Sequence, residues 1–183
     1  LPASQVGAVL ASVPLVGMLS QPLWGLLSDR SGSRSFVLAL IAASAAVCYA
    51  LLASARGFAA VLAGTALLAC SATALIPSCT AVSLELCGSA AFGRLRVFGT
   101  LGFGACLVAF QPLLAAYQRS VGLAAEVGGP SQPGLALIFP ATCACTLLAA
   151  LFALALPRGS SSARAQPGDW RALWRVAAFP RAV

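Results

Sequence analysis

The stretch Gly25-Leu26-Leu27-Ser28-Asp29-Arg30-Ser31-Gly32-Ser33-Arg34 decides the fold of this chain. An apolar run of more than twenty residues leads into it, and a second long apolar run leaves it from Phe36. Runs of about 20 apolar residues are long enough to cross a hydrocarbon core of about 30 Å. We therefore interpret the stretch as a tight, basic turn that joins two membrane helices on one face of a bilayer.

The composition supports a membrane protein. Only 8% of the 183 residues are charged and 60% are hydrophobic, whereas about a quarter of the residues of a soluble domain are charged. The surface must therefore face lipid, and the lipid bilayer is the expected partner. The long runs do not alternate in hydrophobicity, which argues against a β-barrel. The arginines cluster between the runs, which favours membrane topology over nucleic-acid binding.

Five apolar runs predict an all-α protein with five transmembrane helices, in one region covering residues 1–156. The predicted spans are residues 5–27, 36–54, 58–84, 96–117 and 135–156, with a loop at 86–93 and a long connection at 119–134. Residues 157–183 are predicted to form a cytoplasmic loop and an interfacial approach to a further helix. Nine arginines fall on the side of Asp29 and two on the other, so the Asp29 side is expected to be cytoplasmic.

Several features within the spans bear on helix packing. Gly17, Gln21 and Gly25 recur every four residues and form a face of small residues with one amide on it, which suits close packing against another helix. Gln21 is therefore expected to point into the bundle. Close packing is also expected at two further sets of small residues, which are Ala42, Ala43, Ala45 and Ala46 of the second span and Gly99, Gly102 and Gly104 of the fourth. Pro77 removes a backbone donor in the middle of the third span, which predicts a kink there.

Residues that could carry catalysis or hold a metal are scarce. The chain has no histidine, which removes a Ser–His dyad and the histidine ligands of a zinc protease. We expect no enzymatic activity, no metal and no cofactor. The seven cysteines lie mostly within apolar runs and are interpreted as packing residues; they are Cys48, Cys70, Cys79, Cys87, Cys106, Cys143 and Cys145. Because the chain begins at Leu1 and ends just after a basic, aromatic stretch, we expect it to be a fragment.

The opening stretch resembles the signature between helices two and three of the major facilitator superfamily. That signature is glycine, two spacers, a small residue, Asp, Arg, a spacer, glycine and two basic residues. It is matched here except at Ser33, where the first basic residue would stand. In that family the loop holds the cytoplasmic side shut in one state. The resemblance therefore implies a gating role for Gly25, Asp29, Arg30, Gly32 and Arg34.

A second stretch, Phe92-Gly93-Arg94-Leu95-Arg96-Val97-Phe98-Gly99-Thr100-Leu101-Gly102-Phe103, resembles the start of helix five in the oligosaccharide–proton and nucleoside–proton symporter branches. There the second arginine binds substrate and the aromatic residue seven positions later stacks on it, which implies Arg96 and Phe103 here. An arginine inside a membrane helix is costly and by default functional. The alternative is that Arg94 and Arg96 are interfacial residues that reach to the cytoplasm. We interpret Arg94 in that way and Arg96 as a ligand.

The remaining substrate-binding candidates are Thr100, Thr80 and Gln21. Symporters of this type often carry an acidic residue three positions after a proline of helix four, where this chain has Thr80 after Pro77. The acidic partner of Arg96 is therefore missing, and no span has an acid in its interior.

The resemblance implies helices 2–6 of a twelve-helix transporter. The implied function is secondary transport of a small polar solute (a sugar, a nucleoside or a small organic acid) by alternating access, with protons as the candidate coupling ion. The alternative is a non-transporting membrane scaffold or a degenerate transporter fragment. The type of membrane is left open.

Overall fold

The computed structural model describes residues 2–121 and 134–157, and within them all regular structure is helical. The elements are α1 (Ala3–Ser31), α2 (Arg34–Ser54), α3 (Phe58–Val121) and α4 (Ile138–Ala155), with a short 3-10 turn at Leu135–Leu137. All four helices are long and apolar enough to cross a membrane. The predicted all-α class is thus confirmed. The cytoplasmic loop predicted at 157–183, apart from its first residue, and most of the connection at 119–134 lie outside the described residues.

The turn between α1 and α2 is shorter than predicted. Helix α1 does not end at Leu27 but continues by one more turn to Ser31. Gly32, with φ 68°, ends it in the left-handed conformation that glycine adopts without strain. Ser33 then caps α2, because its hydroxyl oxygen accepts the N–H of Phe36 at 3.4 Å. Two residues are therefore enough to reverse the chain.

Helix α3 spans 64 residues and is interrupted once. A straight helix of that length would extend about 96 Å, roughly three times the hydrocarbon core. Gly88 has φ 70° and ψ 170°, a backbone conformation outside the helical region that is essentially restricted to glycine. The predicted loop at 86–93 is therefore wrong, since the residues on both sides of Gly88 are helical and the interruption is one residue long.

Helix α2 lies at the centre of the described part of the structure. Its alanine-rich face packs closely, as predicted, with Ala42, Ala45 and Ala46 at most 2% exposed. Two clusters of buried apolar side chains join it to its neighbours. One cluster contains Leu38, Ala39, Val82 and Ala153, and the other contains Val37, Ile41 and Ala74. Helices α3 and α4 thus both pack on α2, and they meet it together in the first cluster.

Contacts at the helix termini show which ends lie together. The Ser35 hydroxyl, at the start of α2, donates to the carbonyl oxygen of Pro157, just after α4, at 3.4 Å. A Cβ added to Gly134, before α4, would lie 3.2 Å from the ring of Tyr117 near the end of α3. The end of α3 therefore lies beside the beginning of α4.

Helix α3 is poorly packed after Gly88. From residue 89 to residue 120 only Leu114 and Gln118 are buried. The close helix approach expected at the glycines of this segment is not found within the described residues. A Cβ added to Gly99, Gly102 or Gly104 would meet no other atom within 4 Å.

Helix α1 packs on α3 through Gly17. A Cβ at this position would lie 2.9 Å from the Thr73 methyl carbon, closer than such atoms approach in real structures. Thr73 has little freedom to move away, because its hydroxyl donates to the carbonyl oxygen of Ala69 at 2.7 Å. The small-residue face predicted on α1 is thus confirmed at Gly17.

Replacing Gly17 by leucine is therefore expected to lower the free energy of unfolding by about 1–3 kcal/mol, the usual effect of overpacking. Gly7 offers a matched control on the same helix, because nothing lies within 4 Å of a Cβ added there. Gly7→Leu should leave stability within about 0.5 kcal/mol of the parent. Unfolding of the purified protein in mixed micelles measures both. Equal losses for the two variants would contradict the contact.

Candidate functional site

A cluster of three charged side chains joins α1, α2 and α3. Arg34 pairs through Nη2 with Oδ1 of Asp29 at 3.5 Å and through Nη1 with Oε2 of Glu85 at 3.6 Å. We call Asp29, Arg34 and Glu85 the charge cluster and the end of the bundle that holds it the charged end. Arg34 is the first residue of α2, where the helix dipole disfavours a cation. The carboxylates of Asp29 and Glu85 offset the unfavourable interaction between the Arg34 cation and the helix dipole.

Glu85 is the member of the cluster that the sequence interpretation missed. It follows the predicted span 58–84 directly, which places it on the same side of the membrane as Asp29. That shared side is a signal for proximity, but it does not identify Arg34 as the partner. The Glu85 side chain is the least exposed of the three, at 23%, against 34% for Arg34 and 53% for Asp29.

The other residues of the signature lie outside the charge cluster. Arg30 lies in the last turn of α1, where a cation is favourable to the helix dipole, and it forms no ion pair with any described residue. Gly32 makes the turn. Gly25 faces open space and lines a cleft.

That cleft lies between α1, α2 and α3 and has a volume of about 340 Å³. Asp29 and Arg34 line it at the charged end, while Gln21 and Pro77 line it deeper in the bundle. Its further lining includes Ser28, Ser78 and the apolar side chains of Val37, Ala74 and Val82. Asp29, Arg34 and Gln21 therefore border one continuous space.

Two side chains of α1 donate hydrogen bonds to the backbone of α3. Gln21 Nε2 donates to the Thr73 carbonyl oxygen at 3.4 Å, and Trp24 Nε1 donates to the Cys70 carbonyl oxygen at 2.7 Å. Gln21 therefore points into the bundle, as predicted. Trp24 was not singled out in the sequence, although it lies one turn after Gln21 on the same face.

The predicted substrate residues are only partly brought together. Arg96 and Thr100 line an open hollow of about 340 Å³ on α3, and the Thr100 hydroxyl donates to the Arg96 carbonyl oxygen at 3.1 Å. Phe103 is 67% exposed and lies outside this hollow. The Thr80 hydroxyl donates to the Ile76 carbonyl oxygen at 2.9 Å, and Thr80 lines neither hollow nor cleft. Gln21 lines the cleft instead.

Within residues 2–121 and 134–157 no group of three or more His, Cys, Asp or Glu side chains is placed to hold a metal ion. All seven cysteines lie in this part of the chain and are unpaired, and only Cys48 is buried. The site that the structure assembles is therefore one of ion pairs and amide or hydroxyl groups.

Comparison with known proteins identifies the family of this chain. The sequence model of the MFS_1 like family matches residues 1–165. Because the match covers most of the chain, the protein belongs to this major facilitator superfamily-like family. Such membership indicates a membrane transport protein. No curated protein and no solved structure matches the chain.

If the charge cluster stabilises the charged end, Arg34→Gln should lower the free energy of unfolding by about 1 kcal/mol, since partly exposed ion pairs contribute about 0.2–1 kcal/mol each. The loss should shrink in about 0.5 M salt, because screening already weakens the pairs in the parent. Chemical unfolding in micelles at two salt concentrations measures this. Arg30→Gln, which removes an arginine without a described ion pair, is the control and should change stability by no more than a few tenths of a kcal/mol. A salt-independent loss for Arg34→Gln would refute the electrostatic role.

Proposed function

We propose that the full-length protein transports a small polar solute (a sugar, a nucleoside or a small organic acid) across a membrane by alternating access, and that it is not an enzyme. The observation that carries the proposal is the charge cluster, which joins three helices in a chain of this family. Alternating access requires one body of helices to rock against another around a central site. Contacts that close one end in one state and open in the other are what such a mechanism needs.

The strength of the charge cluster suits a gate. Each pair is longer than 3.4 Å and partly exposed, so each contributes about 0.2–1 kcal/mol. Two such pairs shift an equilibrium by roughly one order of magnitude, which biases a conformation without locking it. A much stronger contact would hold the protein in one state.

We further propose that α3 crosses the membrane twice, giving five spans that correspond to helices 2–6 of the twelve-helix fold. Glu85 contacts Arg34 at the charged end, about 40 Å of helix after Phe58. Tyr117 lies beside Gly134 at the start of α4, and α4 ends at the charged end beside Ser35. These contacts support a reversal at Gly88, since α4 starts and ends at opposite ends of the bundle.

The arginine distribution supports a cytoplasmic charged end. Arg30, Arg34, Arg94 and Arg96 belong to this end in the five-span arrangement, and Arg56 and Arg119 to the other. Membrane proteins carry an excess of arginine and lysine on their cytoplasmic side.

Arg96 is the proposed main ligand for the solute, with Thr100 beside it and Phe103 two turns along α3. The planar guanidinium offers five donors that suit hydroxyls or an anion. Its open hollow supports this role, because no described acidic side chain pairs with it there. Thr80 and Gln21 are proposed as secondary contacts. Protons are the proposed coupling ion, with the coupling groups outside the described spans.

Transport is tested with the full-length twelve-helix protein reconstituted into liposomes, because alternating access requires both halves of the fold. We expect saturable uptake of one class among labelled disaccharides, nucleosides and aromatic acids, with faster uptake under an inward proton gradient. Empty liposomes provide the background. Absence of uptake for all three classes would contradict transport of these solutes and favour a non-transporting scaffold.

The role of Arg96 is tested by comparing it with Arg94, two residues earlier on the same helix and also exposed. Arg96→Ala should weaken solute binding about 10–100-fold, the effect of losing a charge-assisted hydrogen bond worth about 1.5–3 kcal/mol. Arg94→Ala should change binding less than about twofold if Arg94 only reaches the interface. Titration of the solute identified by uptake measures both. Unchanged affinity in Arg96→Ala would reject it as a ligand.

A further inference from the structure

Pro77 creates a specific hydrogen-bond problem inside α3. In a regular α-helix the N–H of residue 77 would donate to the carbonyl oxygen of residue 73, but proline has no N–H. The carbonyl of Thr73 is therefore left without its helical partner inside a predicted membrane span. A backbone carbonyl without a partner inside a membrane carries a penalty that native structures avoid.

Gln21 of α1 supplies the missing donor. Its Nε2 lies 3.4 Å from the Thr73 carbonyl oxygen. The neighbouring contacts hold this side chain in place, because Gly17 lies against the Thr73 methyl group one turn earlier and Trp24 donates to Cys70 one turn later. The Cys70 carbonyl oxygen, which accepts from Trp24, can also accept the helical N–H from four residues later, because that residue is not a proline. Only the Gln21 bond replaces a donor that the sequence removes.

The direction that α3 takes after Pro77 determines where Glu85 lies. Glu85 is eight residues further along α3, about 12 Å at 1.5 Å per residue. A change of about 10° in that direction would therefore move its carboxylate by about 2 Å, since the displacement scales with the distance along the helix. The Arg34–Glu85 distance is already 3.6 Å, so such a movement would break the pair. Gln21, Pro77 and Arg34 also line the same cleft.

We infer that Gln21 is a positioning residue: by satisfying the Thr73 carbonyl it fixes the direction of α3 after Pro77 and so directs Glu85 onto Arg34. The assignment of this pair to a gate rests on the proposed function. The Gln21–Thr73 hydrogen bond and its effect on the Arg34–Glu85 pair do not depend on the proposed function. Both can be measured without a transport assay.

The first test is a double-mutant cycle between Gln21 and Pro77 in the purified protein in detergent micelles. Gln21→Met keeps the length of the side chain and removes the donor. It should lower the melting temperature by about 3 °C, as expected for one lost hydrogen bond in a chain of this size. In a Pro77→Ala background the alanine N–H restores the helical bond, so the same change should lower it by less than about 1 °C. Equal shifts in the two backgrounds would overturn the inference.

Gln111 provides the matched control. It is an exposed glutamine on α3 with no hydrogen bond from its side chain in the described structure, and Gln111→Met should shift the melting temperature by less than about 1 °C. If Gln21→Met does not yield folded protein, the double variant with Pro77→Ala should. Failure of that double variant to fold would also overturn the inference.

The second test separates positioning from stability alone. The coupling between Arg34→Gln and Glu85→Gln, taken as the non-additive part of their shifts in melting temperature, reports the Arg34–Glu85 pair. Measured at low ionic strength, it should fall by at least about half in Gln21→Met. Unchanged coupling would reject the positioning role. If uptake fails for every solute while the coupling behaves as expected, the transport proposal is wrong and this inference stands.

Discussion

The dominant constraint on this fold is that a helix surrounded by hydrocarbon must satisfy every backbone carbonyl. Pro77 removes one donor from α3, and the Thr73 carbonyl is then satisfied from α1 by Gln21. The glycine at position 17 permits this, since it lets α1 approach within contact distance of Thr73. The carbonyl freed by Pro77 thus lies on the face of α3 that α1 packs against, beside the contact at Gly17 and the hydrogen bond from Trp24.

Packing around α2 follows a related rule. Lipid tails are as apolar as the side chains they surround, so burial alone does not favour helix association, and close contact between small residues contributes most of the attraction. The residues of α2 with the least exposure are accordingly alanines together with Val37 and Ile41. The large apolar side chains of α1 and of α3 after Gly88 point outward instead. The interior of the bundle is thus rich in small residues and its surface is rich in leucine, whereas leucine is mostly buried in soluble proteins.

Much of the fold could be predicted because span length and composition are strong local signals. The helical class, the buried face of α2 and the inward direction of Gln21 all follow from residue spacing. The end of α1 was placed too early because Asp29 and Arg30 were interpreted as loop residues, whereas a helix continues past charged side chains until a residue such as Gly32 ends it. The pairing of Glu85 with Arg34 joins positions 51 residues apart, and no local pattern encodes such a distance. The positions of Arg96 and Thr100 in a hollow separate from Gln21 likewise depend on tertiary packing.

The break at Gly88 also separates residues that are synthesised early from residues that are synthesised later. Every member of the charge cluster, both hydrogen bonds from α1 to α3 and the contact at Gly17 involve residues before Gly88. A ribosome releases these residues first, and domains form as units in the order of their synthesis. The residues before Gly88 thus contain both partners of each of these contacts. The charge cluster can therefore form before the part of α3 that carries Arg96 has been synthesised.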